Sequence, residues 1–230
     1  MKQKAWGLIL AAGKSERISS EIETAFLYLN DRPVLAYSLS AFMQCPDIEG
    51  IVVSISRDRA ESVLGMVQMY GFSKVKKIVL AGAKRSASMA SALEYVDDEA
   101  EWVCVHDASR PFLEASLISE TIKAARRHGS GIAAVELTEP VVCTQKGVYV
   151  SRAPEDAVVW KIISPQTYSR KALMKAYPKT VKERKTHKND LSAMLALGEP
   201  LRFVTSPPSL CIRNAEDLAL ALTVERLKNP

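Results

Sequence analysis

The residues best suited to chemistry lie in short clusters that each follow an apolar run. The first reads Leu10-Ala11-Ala12-Gly13-Lys14-Ser15-Glu16-Arg17. Small residues and a glycine let a ligand approach the backbone. Lys14 and Arg17 add positive charge, so the turn suits an anion. It is not a P-loop, which needs an upstream glycine, nor a dinucleotide turn, which needs more than one. An ordinary strand-to-loop turn is the alternative. The second cluster, Ala81-Gly82-Ala83-Lys84-Arg85-Ser86-Ala87-Ser88, opens a helical stretch. Gly82, Arg85 and Ser88 suit a base, a ribose or a phosphate; Ser86 or Ser88 as a plain helix cap is the alternative. The third is Val103-Cys104-Val105-His106-Asp107-Ala108-Ser109-Arg110-Pro111. Asp107 ends a strand-like run and Arg110 follows in the same turn. A carboxylate there can hold Mg²⁺ or a substrate hydroxyl, or form a structural ion pair with Arg110.

Positioning these clusters requires a repeating strand–helix frame. Apolar runs at residues 5–10, 50–55, 76–80, 102–106 and 131–137 read as strands. Helical spacing at 33–44, 57–70, 86–96 and 115–128 fills the intervals, with Pro33 in a first turn. This order predicts an α/β fold, a mostly parallel sheet with helices on both faces. In such sheets the ligand crevice lies beyond the carboxyl ends of the strands, where the clusters fall. Residues 139–160 break the pattern with turn residues Gly147 and Pro154 around a β-rich run at 148–150. They read as a two-stranded arm. An isolated hairpin is marginal in water, so the arm implies a second copy of the chain. Beyond it, 168–177 reads as a helix, 179–188 as a basic loop and 190–197 as a helix. Residues 201–204 and 210–212 read as strands and 215–227 as a closing helix.

With 230 residues the chain can bury a full core without disulfide or metal staples, and it reads as one domain over residues 1–230. Apolar residues at 47% and charged residues at 25% exclude collagen and bulk disorder. No apolar run reaches the ~18 residues of a membrane span. The N-terminal apolar run meets a charged loop and not a cleavage site, so a soluble, cytoplasmic protein is expected. Cys45, Cys104, Cys143 and Cys211 show no metal-type spacing, nor do His106, His128 and His187; the cysteines read as reduced structural thiols. Lys+Arg of 31 against Asp+Glu of 26 leaves a net charge of +5. The basic stretches at 74–77 and 179–188 lack interleaved aromatics, so they read as solvated faces and no nucleic-acid partner is expected. Phosphorylated small molecules are a further reason for excess positive charge.

Together, Ala11-Ala12-Gly13, the Gly82-x-x-Arg85-x-x-Ser88 pattern and Val105-His106-Asp107-Ala108-Ser109-Arg110-Pro111 resemble the 2-C-methyl-D-erythritol 4-phosphate cytidylyltransferases. The resemblance runs over nearly the whole chain. It includes residues 160–166, with Ser164-Pro165-Gln166 where the family has Thr-Pro-Gln, and Asn214-Ala215-Glu216-Asp217-Leu218. It implies a Rossmann-like sheet of the nucleotide-diphospho-sugar transferase type, with a projecting β-arm at about 139–160 that builds a homodimer. It also implies that the phosphate of methylerythritol phosphate, or of a related polyol phosphate, attacks the α-phosphorus of CTP and pyrophosphate leaves with Mg²⁺. By resemblance, Ala11, Ala12 and Gly13 touch the nucleotide through backbone, and Gly82, Arg85 and Ser88 hold cytosine and ribose. Asp107 and Arg110 face the metal or polyol, with Asp107 the metal ligand, and Arg17 is the catalytic cation that stabilises the transferring phosphate; Lys14, in the same phosphate loop, is the second catalytic candidate on its position alone.

Departures from the family pattern fall at charged positions. Ser15 stands where the family has a second glycine, and Glu23-Thr24-Ala25 where it has Pro-Lys-Gln. In the arm, Glu139-Pro140 replaces Asp-Thr, and Asp156 stands at a phosphate-binding arginine. Lys188-Asn189-Asp190 replaces Thr-Asp-Glu, and Cys211 a lysine. Transfer between two anions needs positive charge, and each lost charge-stabilising donor raises the barrier by about 2.7–4 kcal/mol. The alternative is therefore a catalytically impaired paralogue that keeps fold, dimer and nucleotide site. Lys14, or Arg213 if it shares a strand face with Cys211, would be the compensating cation.

Overall fold

The first strand, β1 (Ala5–Leu10), is almost wholly apolar and runs through the middle of a seven-stranded sheet. The computed structural model describes residues 4–13, 22–144, 148–154, 157–178, 187 and 189–228. A small antiparallel pair, β2 (Tyr28–Leu29) and β3 (Arg32–Pro33), precedes α1 (Val34–Gln44). Next come β4 (Ile48–Ile55), α2 (Ala60–Met69), β5 (Val75–Leu80), α3 (Arg85–Leu93), β6 (Trp102–Asp107), α4 (Ala115–His128) and β7 (Ser130–Glu136). The arm contributes β8 (Cys143–Thr144) and β9 (Val150–Arg152), paired antiparallel. The chain returns through β10 (Trp160–Ser169), α5 (Arg170–Ala176), α6 (Asp190–Leu197), β11 (Phe203–Thr205) and α7 (Ala215–Lys228).

The sheet order is β11-β7-β10-β6-β1-β4-β5. All neighbours are parallel except β10, which is antiparallel to both β6 and β7. Helices cover both faces, as expected for parallel strands buried on two sides. Adjacent residues of β1 show this. Leu8 packs with Met89 and Leu93 of α3, Leu173 of α5 and Met194 of α6. Ile9 belongs to the opposite cluster, with Leu39 of α1, Val63 of α2 and Ile122 of α4. A third cluster seats Ala221 of α7 against Leu29 and Val34.

Several local expectations are corrected. Pro33 is the extended residue before α1 and not part of its first turn, because its ψ of 145° lies outside the helical range. Residues 57–59 form a separate 3-10 turn before α2. The largest change is at 160–169. Tyr168 and Ser169 belong to a strand and not to a helix, since Gln166–Ser169 pair residue by residue with β6. Residues 210–212 are not a strand; the N–H of Ile212 is instead used by the carbonyl of Ser109, 2.9 Å away. Most of the basic loop at 179–188 lies outside the described residues.

Candidate active site

Three neighbouring strands end level. Leu10 of β1 stands in register with Ser54 of β4 and Asp107 of β6. The chain continues the ladder past these ends, with Ala11 N–H on Ser54 O at 2.8 Å and Ala108 N–H on Leu10 O at 3.0 Å. Above them lies a cleft of about 260 Å³. Ala11, Ala12 and Gly13 form one wall, Gly82 to Arg85 with Ser88 another, and Asp107 to Ser109 the third. A parallel sheet puts its ligand crevice at this end, and the small side chains leave backbone groups accessible.

Ser88 is not the cap of α3. Lys84 occupies the cap position and makes no side-chain cap bond. The buried Ser88 hydroxyl accepts the N–H of Gly82 at 3.1 Å and lies 3.3 Å from the carbonyls of Gly82 and Lys84. It ties the loop after β5 to the first turns of the helix. Gly82 is required there, because a β-carbon would come within 2.4 Å of the Ala87 methyl.

Arg85 is the electrostatic centre of the cleft. Its Nη1 donates to Asp107 Oδ1 at 2.7 Å. Its Nη2 and Nε donate to Asp190 Oδ2 and Oδ1 at 2.6 and 3.3 Å. Tyr177 adds its hydroxyl to Asp190 Oδ1 at 2.6 Å. Burial alone would raise the Asp107 carboxyl; the charge and hydrogen bond of Arg85 outweigh it and hold the group below the usual carboxylate range. Burial likewise opposes the charge on Arg85, and the two carboxylates more than restore it. Burial and Asp190 push the Tyr177 hydroxyl up, so it stays a donor.

Seven residues expected from the sequence therefore converge on the cleft, namely Ala11, Ala12, Gly13, Gly82, Arg85, Ser88 and Asp107. Arg110 does not. It turns away from the cleft, with Nη1 on the carbonyl of Ser209 at 3.3 Å, and the partner of Asp107 is Arg85. The loop from 107 to 110 closes as a tight turn, Arg110 N–H to Asp107 O at 3.1 Å, which aims the two side chains apart. Lys14, Ser15, Arg17, Asp156 and Lys188 lie outside the described residues. Thr24 lines the cleft and is buried; Cys211 stands just behind the wall, its sulfur 3.3 Å from the Ser109 hydroxyl. Arg213 has no strand to share with Cys211 and is not among the residues lining the cleft; its backbone N–H and guanidinium face Asp217. Glu139 and Pro140 line a separate hollow in the arm.

Sequence reasoning missed Asp190 and Tyr177, which lie far from Arg85 along the chain. One signal was present: Asn189 caps α6 by accepting the Ser192 N–H, so Asp190 is left without the usual duty of an acid at a helix start. Among the described residues no group of three or more His, Cys, Asp or Glu converges as a metal site. Nor is any described helix long and apolar enough to cross a membrane.

The comparisons with known proteins agree with this geometry. The family described as 2-C-methyl-D-erythritol 4-phosphate cytidylyltransferase matches residues 6–226. A relative of that name from Desulforamulus reducens is 31% identical over 226 residues, covering 96% of each chain. Another, from Dehalococcoides mccartyi, is 33% identical over 178 residues, covering 77% of each. Among solved structures, the 4-diphosphocytidyl-2C-methyl-D-erythritol synthase of Anaerococcus prevotii superposes with a TM-score of 0.85 at 22% identity, covering 98% of this chain and 97% of that one. The methylerythritol phosphate cytidylyltransferase of Thermus thermophilus gives 0.76 at 24% identity, covering 97% and 99%. With a match spanning nearly the whole length, and with the family's glycine, arginine, serine and aspartate positions gathered around one cleft, the chain belongs to the 2-C-methyl-D-erythritol 4-phosphate cytidylyltransferase family.

Proposed function

We propose that this protein transfers CMP from CTP to 2-C-methyl-D-erythritol 4-phosphate, releasing pyrophosphate. The observation that carries the reading is the level ending of β1, β4 and β6 around the cleft, with Arg85 and Asp107 in its walls. The Ala11–Gly13 backbone and the loop pinned by Ser88 receive the nucleotide. Catalysis is then mainly positioning and charge stabilisation of an in-line displacement.

Mg²⁺ fits this donor set. Asp107 offers a partly exposed carboxylate whose Oδ1 meets, among the described residues, Arg85, and Mg²⁺ characteristically takes one or two carboxylates and completes its shell with phosphates and water. When bound, the ion neutralises the triphosphate and polarises the reacting phosphoryl group. Asp107 would hold it and Arg85 would orient the carboxylate.

The arm supports a homodimer. Val148, Tyr149 and Val150 are 88%, 83% and 62% exposed on a two-stranded excursion that has no core of its own. Light scattering should give twice the chain mass, and Tyr149→Asp should reduce it to one. Free thiols at Cys45, Cys104, Cys143 and Cys211 support a reducing, cytoplasmic setting.

A second reading, nucleotide binding with little turnover, is favoured by Thr24. It puts an uncharged, buried side chain in the cleft where the family pattern has a lysine, and Arg85 is already shared between two carboxylates. Titration with CTP and Mg²⁺, followed by pyrophosphate release with methylerythritol phosphate, separates the readings. Binding with turnover supports transfer, binding alone supports the second, and no binding overturns both.

A further inference from the structure

The two carboxylates on Arg85 are not equivalent. The Asp107 side chain is 36% exposed and faces the cleft, whereas Asp190, at the start of α6, is 1% exposed. Asp107 meets one guanidinium nitrogen; Asp190 takes two, in a fork, and is itself held by the Tyr177 hydroxyl. Arg85 sits in the first turn of α3, where the helix dipole disfavours a cation. Asp190 sits in the first turn of α6, where the dipole favours an anion. The arginine therefore needs a counter-charge to stay there, and the aspartate is a stable one.

From this asymmetry we infer that Asp190 is a positioning residue of the nucleotide site: it anchors Arg85, with Tyr177 behind it, so that Asp107 is free to exchange Arg85 for an incoming ligand while the guanidinium keeps its place. The inference rests on the reading of the cleft as a nucleotide site. One arginine and two carboxylates leave a net negative charge. That charge lies on the solvent-reachable leg, where a cation-bearing nucleotide would arrive. A lone Arg85–Asp107 pair would lack the division: freeing Asp107 would leave the guanidinium without a partner in a half-buried place.

The test measures Arg85 directly before any nucleotide is added. In the free protein, phenylglyoxal labelling of Arg85, read by peptide mass spectrometry, should rise several-fold in Asp190→Asn and by less in Asp107→Asn. Labelling that is unchanged in Asp190→Asn, or that rises no more than in Asp107→Asn, overturns the inference. With CTP and Mg²⁺, Asp190→Asn should weaken nucleotide affinity by about tenfold, as expected for loss of one charge-assisted fork. KM for CTP should carry that loss, with kcat changed by less than about twofold. In an Arg85→Ala background the same substitution should add almost nothing, because it acts through Arg85; an additive loss contradicts the inference. If Asp190→Asn fails to fold, Tyr177→Phe decides. It removes only the hydroxyl behind Asp190 and should raise Arg85 labelling in the same direction, and no rise refutes the anchor. If the native protein binds no nucleotide, the reading of the cleft fails, while the labelling result still judges the anchor.

Discussion

The hydroxyl of Ser164 lies 3.0 Å from Nδ1 of His106, and the same oxygen accepts the Asp107 N–H at 3.1 Å. Having accepted that N–H, the hydroxyl can donate to Nδ1. The imidazole is then neutral, with its proton on Nε2, where the carbonyl of Arg110 accepts at 3.3 Å. His106 is fully buried, and the pair spans the turn that carries Asp107.

A pH dependence of stability follows. Burial pushes His106 down to about 4. In the unfolded chain it titrates near ~6.5. Between these values the unfolded state binds the extra proton, so stability falls as pH falls from about 6.5 to 4 and this contribution levels off below. The full swing is on the order of 3 kcal/mol. Urea unfolding at stepped pH should show it, and His106→Gln should flatten that part of the profile.

Removing the Ser164 hydroxyl should act on both stability and turnover. Ser164→Ala leaves the Asp107 N–H and Nδ1 of His106 without their partner, at a cost of about 1–3 kcal/mol. Ser164→Thr keeps the oxygen and should retain most of the stability. Equal unfolding midpoints for Ser164→Ala and the native chain would show that the bridge contributes nothing.

Gly82→Ala should destabilise by about 1–3 kcal/mol and weaken CTP binding, because overpacking must displace either the loop or α3. The contact is specific, since the added carbon would meet the Ala87 methyl at 2.4 Å. Ala87→Gly in the same chain should restore part of the loss. Thermal unfolding of the single and double variants measures the rescue.

Thr24→Lys should increase turnover. The position lines the cleft, and a lysine there can extend its ammonium into the open volume. Gain of one charge-stabilising donor corresponds to about 10²–10³ in rate where no other cation already supplies it. Pyrophosphate release with CTP and methylerythritol phosphate is the assay. An unchanged rate would mean that the charge is supplied from elsewhere in the site.

Local composition determined much of this protein. The apolar runs of β1, β4 and β6 are buried on both faces, and such runs are recognisable without knowing what covers them. Strand–helix alternation then put Ala11–Gly13, Gly82–Ser88 and Asp107 at one end of a parallel sheet, since every parallel strand points the same way. The arm pair, β8 and β9, was legible from its turn residues for the same local reason. Tertiary structure alone decided the rest. The end of β10, Tyr168 and Ser169, reads as the start of a helix because it runs straight into the helical stretch that follows; it is strand because β6 pairs with both residues and β7 with Tyr168. Arg110 faces away from the cleft because of a turn, and Arg85 takes Asp107 in its place. Asp190 reaches Arg85 from 105 residues away, a separation across which no periodicity or spacing in the chain carries information. Burial decides the outcome there: with water excluded, a guanidinium must find its carboxylates wherever the fold brings them, and only the packed helices α3, α5 and α6 do so.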